Sequence, residues 1–390
     1  MIVMLKGTVM IKETSMINEL FVLRALAVFG VITVHATSFS VSWLDVSSAL
    51  YPLYSFLNRF FAFGTCAFFF LNAFVVFRNY YRRPADKNLF KNFYLKRLKY
   101  ILLPYFFFSL IYFAVAGAPL MQTYGSFSAV AFDFLIKLAR GKAFEHLYFV
   151  FVSIQFYLLV PFLLRFFQKN EALLKHGLWM GFLLQWLFVF INNYYLRITV
   201  GTGSIAFSYF SYYFLGAYLG VNYLRFQEWL KKGGKVYLLL ILWLTCGFFY
   251  VWIYYLMNAA HVYYDGKWYT LLWNLYNYTS ILVLFTFSFW LYKRLSIKLR
   301  NLLVRLGAAS FGVYLLHPLF LTYYIKIDFS SLPWLYHISV FAGLAGALLI
   351  PWLLVETAYK YTPAAAQFLF GRNIKAINNA QCTMHNYYNK

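Results

Sequence analysis

Charge is what this 390-residue chain has least of: 12% of its residues are Asp, Glu, Lys or Arg, about half the roughly 25% usual in soluble globular proteins. So thin a polar coat excludes an ordinary soluble domain. A hydrophobic content of 63%, with 24% aromatic residues, places the chain among membrane proteins instead. Acidic residues are scarcest, 11 against 34 Lys and Arg, and the formal charge is +23. A balance that basic would suit nucleic acid only if the cations gathered on a soluble face. Here they fall between apolar runs, so no nucleic acid is expected and the partner is the lipid bilayer. Cys66, Cys246 and Cys382 lie far apart without metal-ligand spacing, which indicates neither a disulfide framework nor a metal site. Internal repeats, low-complexity linkers and phosphate-binding glycine loops are missing as well. The first nineteen residues carry Lys6, Lys12, Glu13 and Glu19 and no apolar core ahead of a small-residue cleavage site, so no cleaved signal peptide is expected.

What is there is a succession of apolar runs close to the roughly 20 residues that cross a bilayer as a helix. They lie near residues 20–42, 53–77, 98–117, 147–167, 176–194, 204–223, 236–257, 270–291, 306–325 and 335–357. The expected fold is therefore all-α, a polytopic integral membrane bundle of about ten transmembrane helices. Residues 1–19 form an N-terminal tail, 20–360 the membrane domain and 361–390 a C-terminal tail. Lys and Arg collect before the first run and after the second, fourth, sixth and eighth, most densely from Arg78 to Lys99. The alternate connections hold only Lys137, Arg140, Lys142, Arg197, Lys267 and Lys326. By the positive-inside rule both termini are cytoplasmic and the number of spans is even. After the third run, Phe127, Val130, Ala131, Phe134, Leu135 and Leu138 recur at helical spacing opposite Asp133, Lys137 and Arg140, with Gly141 as a stop. That pattern predicts an interfacial helix on the outer leaflet.

Within the first run, LRALAVFGVITVHA (23–36) carries Arg24 and His35. Eleven residues at about 100° each return to within roughly 20° of the same direction, so both share one helical face, roughly 16 Å apart. An arginine at the centre of a membrane helix costs about 2.5–3.5 kcal/mol even on lenient scales, so this pair calls for a reason beyond packing. Other polar residues sit in later runs: Arg59 and Asn72 in the second, His146, Ser153 and Tyr157 about the fourth, Ser310, Tyr314 and His317 in the ninth, Glu356 in the tenth. Serines and tyrosines in such positions also serve as glue between helices, and Arg59 could snorkel outward. A histidine near its unperturbed pKa of about 6.5 suits general-base chemistry. An arginine on the same face suits a phosphate or pyrophosphate, which its fork of donors binds in bidentate fashion.

These residues sit in strings that, in this order, resemble a known family: ELFVLRALAVFGVITVH, LNRFFAFGTCAFFFLNAF, NFYLKRLKYILLPY, EHLYFVFVSIQFYLLVPFL, SYYFLGAYLG and SFGVYLLHPLFL. From about Ile17 to Arg372 the chain resembles acyltransferase family 3, the polytopic membrane O-acyltransferases. Its likeness is strongest to the branch that includes O-succinyl- and O-acetyltransferases of the biofilm poly-N-acetylglucosamine system. The resemblance implies transfer of an acyl group, acetyl or succinyl in type, from cytoplasmic acyl-coenzyme A to a hydroxyl of an exported or cell-surface saccharide. It implies no permanently bound cofactor, acyl-coenzyme A being a co-substrate, a bacterial cell membrane as location, and other cell-envelope glycan-assembly proteins as further partners. Carried onto matching positions, His35 is the catalytic histidine, as base or acyl carrier, and Arg24 its motif partner. Arg97 helps receive the coenzyme A phosphates, and Arg59, His146, Tyr314 and His317 line the pocket. The chain departs from the family where a Ser-Gly pair is common and Asn72-Ala73 stands, and where a second arginine is common and Ile101 stands. The reading from another class is a transporter or exporter of a polysaccharide or lipid-linked glycan, because polar residues also line translocation paths.

Overall fold

The computed structural model describes residues 17–116, 125–198, 201–230, 234–329 and 332–371, and among them there are helices and turns but no strand. The first sixteen residues and residues 372–390, most of the expected tails, lie outside the described residues. Sixteen helices follow in order: α1 Glu19–Trp43, α2 Tyr51–Phe60, α3 Gly64–Tyr80, α4 Lys87–Arg97, α5 Leu103–Ala116, α6 Phe127–Ala139, α7 Tyr148–Lys169 and α8 Glu171–Lys175. Then come α9 Gly177–Ile191, α10 Phe210–Val221, α11 Tyr223–Leu230, α12 Gly234–Ala259, α13 Gly266–Arg294, α14 Ile297–Tyr324, α15 Pro333–Tyr361 and α16 Pro363–Phe370. Four of their starts are capped by side chains. The side chains of Asp86, Ser126, Asp265 and Ser296 accept from the backbone N–H groups of Leu89, Ala129, Lys267 and Leu299, satisfying donors that a helix leaves open.

The protein is a multi-pass membrane protein. Among the described residues, seven helical segments are long and apolar enough to cross a bilayer: 19–43, 51–80, 87–115, 145–169, 234–259, 297–324 and 334–361. The other three expected runs are helical but differ in kind. α9 has 15 residues and α10 has 12, short of the roughly 20 a span requires, while the 29-residue α13 is diluted by Asn274, Asn277, Ser280 and Ser288, all buried.

Helix α1 is the axis, buried through most of its length and packed against α2, α3, α13, α14 and α15. Tyr336 of α15 donates to Ser40 Oγ at 3.0 Å at one end of it. At the other end Asn18 donates to Tyr292 of α13 at 3.2 Å. There Arg305 of α14 also pairs with Glu356 of α15, its Nε 2.9 Å from Oε1. That second end, which also holds the α3–α4 and α13–α14 connections, is the basic end of the bundle.

Two expected runs are interrupted. The second breaks between α2 and α3 at Phe61–Phe63, and the hydroxyl of Tyr276 donates to the Phe60 carbonyl at the break. Beyond it Gly64 lies so close to α1 that a Cβ would meet the Ala27 carbonyl oxygen at 2.6 Å. The third joins α4 to α5 through one π-helical turn at Leu98–Leu102. Helix α6 is present with Gly141 at φ +67° as its stop, and it docks on α5 through Phe134, whose ring lies 6.0 Å from Phe106 and 5.2 Å from Phe113. The segment after residue 360 opens with α16, which returns to α5 through Phe368 against Phe107 and Phe370 against Phe108.

The closest helix crossing is at Gly307, where an added Cβ would sit 1.8 Å from the Phe21 carbonyl oxygen. Replacing Gly307 with Ala therefore forces α14 off α1, and the expected cost is about 1–3 kcal/mol, as for other overpacked cores. Thermal melting in detergent checks this: Gly307→Ala lowers the melting temperature, whereas Gly266→Ala, with nothing within 4 Å of the new methyl, leaves it unchanged.

Candidate functional site

Because α14 lies against α1 at Gly307, the two helices run together far enough for His317 to meet His35, their ring centroids 5.2 Å apart. His146 completes the group from a third direction. It sits in the 3₁₀ turn Glu145–Leu147 that leads into α7, its ring 5.8 Å from His317. Tyr314, one turn before His317, lies 5.3 Å from His146 and 5.7 Å from His317, and its hydroxyl donates to the His146 carbonyl. His146 and His317 are 1% and 0% exposed, while His35 keeps part of its surface open. Neither ring nitrogen of His146 and not the Nε2 of His317 has a hydrogen-bond partner. Three histidines from separate segments thus share one polar nest in an otherwise aromatic interior. Among the described residues, no group of three or more His, Cys, Asp or Glu side chains is placed to hold a metal ion.

On the basic side of Tyr314 lies a cavity of about 280 Å³, lined by Arg24, Lys96 and Arg97 and, among the described residues, by no carboxylate. Tyr314, Ser153, Tyr157 and Ser310 line it too. The Arg97 guanidinium carbon is 4.2 Å from the Phe93 ring centroid and 5.0 Å from that of Tyr157, and its buried Nε has no partner. Flat cations held on aromatic faces keep their outer donors free for oxyanions. Asn72 lines the same cavity, and the following Ala73 is fully buried, its methyl 3.0 Å from where a Cβ of Gly216 would stand. Ala73 fits because α10 brings a glycine opposite it.

Of the residues singled out in the sequence, Arg24, Arg97 and Tyr314 meet at this cavity, and His35, His146 and His317 meet behind Tyr314. Arg59 stands apart. It lines a different cavity toward the far end of the bundle, its guanidinium 3.3 Å from the Tyr254 ring centroid. Glu356 is taken up by Arg305.

Sequence reasoning missed Tyr112. Its hydroxyl donates to the Leu315 carbonyl at 2.7 Å and accepts from the Leu319 N–H at 3.0 Å. These two backbone groups would bond each other in a regular helix. Pro318 between them bends α14, as a ring clash and a missing N–H require, and the tyrosine fills the opened gap beside His317. The signal was available as a proline directly after the histidine, but the tyrosine that answers it lies on another helix. The Phe370–Gly371 wall of the cavity was missed for the same reason, lying in a segment read as tail.

With the site described, likeness to known proteins is informative. The family model described as "Acyltransferase domain" (Acyl_transf_3) matches residues 17–356, and the chain belongs to this family of membrane acyltransferases. Among curated proteins it is 26% identical over 306 residues, 75% of this chain and 78% of the other, to the "Probable poly-beta-1,6-N-acetyl-D-glucosamine export protein" of Staphylococcus aureus strain MSSA476. It is also 26% identical over 308 residues, 76% of this chain and 78% of the other, to the Staphylococcus epidermidis protein of the same description. No solved structure matches.

Losing the Tyr112 hydroxyl leaves a buried N–H and a buried carbonyl without their bridge, at about 1–3 kcal/mol for each unsatisfied group. Tyr112→Phe should lower the melting temperature, while Tyr361→Phe, at the exposed end of α15, should not.

Proposed function

We propose that this protein transfers an acyl group from acyl-coenzyme A, entering at the basic end, to a hydroxyl of an exported saccharide. The observation that carries this reading is the sequence of groups along one path: a cavity lined by Arg24, Lys96 and Arg97, then Tyr314, then the histidine nest. Arg24, Lys96 and Arg97 offer the donors a phosphate or pyrophosphate needs. By the positive-inside argument that end faces the cytoplasm, where acyl-coenzyme A is made.

In this reading His35 is the base, because it is the member of the nest with open surface. Its ring nitrogen takes the proton of the acceptor hydroxyl as the hydroxyl oxygen forms a bond to the thioester carbonyl carbon. The carbon–sulfur bond then breaks, sulfur leaves with the electron pair, and the proton passes from the imidazolium to the thiolate. His317, beside His35 and held by the Tyr112 bridge, orients the ring. The names of the staphylococcal relatives speak of poly-beta-1,6-N-acetyl-D-glucosamine, which makes this polymer the first acceptor to test. An acetyl and a succinyl donor both fit the chemistry.

Those names also speak of export, and export is the second reading. Against it stands a line of rings in edge and tilted contact on the way from the histidine nest to the far cavity. Tyr314 lies 5.1 Å from Phe149, Phe149 4.9 Å from Phe69, and Phe69 4.4 Å from Tyr209. A polymer translocated along this line would have to part these rings.

Purified protein given labelled acyl-coenzyme A and the oligosaccharide should transfer label. His35→Ala should lower turnover about a hundredfold or more, the usual worth of a positioned base; wild-type turnover in that variant overturns the mechanism. Arg24→Lys should raise KM for acyl-coenzyme A about tenfold, or about 1.4 kcal/mol, since a point charge lacks the fork. Polymer flux across proteoliposomes without acyl-coenzyme A, undiminished in His35→Ala, would favour export.

A further inference from the structure

The cavity that takes Arg59 is larger than the one at the basic end, about 710 Å³, well within the ~300–1,000 Å³ range of sites for small organic ligands. Its walls come from α2, α9, α13 and the turns between α9 and α10. Its chemistry is different in kind. Two cations, Arg59 and Lys267, share it with one carboxylate, Asp265. Lys267 is engaged locally, 3.9 Å from Asp265 Oδ2 and 3.3 Å from the Tyr194 hydroxyl. The rest of the lining is amides, hydroxyls and aromatic rings, among them Asn192, Asn193, Tyr269, Trp273 and Asn274.

The hydrogen bonds behind this wall fix which groups face the ligand. The Ser211 backbone N–H can only donate, and it donates to Gln185 Oε1 at 3.0 Å, with Ser211 Oγ on the same oxygen at 2.6 Å. Gln185 must then present its amide nitrogen to Asn274 Oδ1, at 2.7 Å, where the Tyr212 hydroxyl also donates at 2.7 Å. Asn274 is left with its NH₂ group unused by these bonds. That nitrogen is buried and has no partner, and the same holds for Arg59 Nε. Asn274 itself is 1% exposed. Buried donors left open cost about 1–3 kcal/mol each, so a cavity bordered by two of them is built to receive oxygen acceptors.

We propose that this cavity is a saccharide subsite, holding a sugar unit of the acceptor chain remote from the reacting hydroxyl. Asn274 Nδ2 and Arg59 donate to hydroxyl or acetamido oxygens, and the rings of Trp273 and Tyr269 pack on the apolar faces of the sugar. Nearly balanced charge suits a neutral polymer, just as the carboxylate-free cavity at the basic end suits an anionic donor. Tyr209 lines the subsite and none of the three histidines does, so its binding energy comes from a part of the chain that does not react. Remote binding of that kind is what favours long acceptors over short ones. The inference rests on the saccharide acceptor proposed above, which the transfer and export readings share, and not on the acyl chemistry.

The test measures binding alone. Full-length protein in nanodiscs, without acyl-coenzyme A, is equilibrated with N-acetylglucosamine oligosaccharides of increasing length. Affinity should rise with length and then level off. Trp273→Ala should bind about tenfold more weakly, an ordinary loss for a truncated aromatic anchor. Asn193→Trp, which fills the mouth from an exposed position without removing a buried group, should weaken binding as well; unchanged melting temperatures certify the fold of both variants. Absence of oligosaccharide binding, or wild-type affinity in both Trp273→Ala and Asn193→Trp, overturns the subsite. Binding as described in a protein that transfers no acyl group would sink the transfer reading and leave the subsite standing.

Discussion

Everything distinctive about this molecule depends on how closely α14 approaches α1. Gly307 lets the two backbones touch at Phe21, and from that contact the helices diverge slowly enough that His317 still meets His35 nearly three turns on. In lipid no hydrophobic force pulls helices together, so close packing through small residues has to do it. The same device recurs where Gly64 meets α1 and where Gly216 and Gly220 meet the Phe70 and Phe74 carbonyls of α3. Aromatic bulk fills what these contacts leave. Phe156 stacks on Tyr213 at 4.0 Å, and Phe74 and Phe285 meet edge to face at 5.3 Å. The polar nest is held in place by rigid neighbours rather than by its own hydrogen bonds, which are few.

The two cavities divide the chemistry between the ends of the bundle. One gathers cations and excludes carboxylates; the other balances charge and offers amides. In a medium where an uncompensated ion is expensive, such a contrast is a statement about what each end receives. Aromatic rings fill much of the space between them, and the transfer reading needs only that the reactive ends of two substrates meet at the histidines.

Much of this was legible in the sequence, and the limit falls at a definite place. Spacing within one helix can be computed, so Arg24 and His35 could be put on one face, and Ser310, Tyr314 and His317 on another. Helical runs and the stop at Gly141 follow from local rules in the same way. Contacts between helices do not. Nothing local tells that Arg59 turns toward Tyr254 and away from the histidines, that Tyr112 answers Pro318, or that α16 folds back to wall the cavity. The short α9 and α10 show the same limit from another side: their apolar content reads as two spans, but α9 gives way to the π-helical turn Asn192–Leu196 and α10 starts only after the turns Thr202–Ser204 and Ala206–Tyr209.

The departure at Asn72-Ala73 illustrates how a changed motif is to be judged. Ala73 adds a methyl at a helix crossing, and the crossing tolerates it because Gly216 supplies the room. Asn72 adds an amide to the cavity that holds Arg24 and Arg97, where a shorter hydroxyl would leave more space. A bulkier polar group in a cavity of about 280 Å³ changes what fits beside the cations but not the cations themselves. The departure from the family pattern therefore alters the shape of this cavity, while its cations and the histidine nest remain in place.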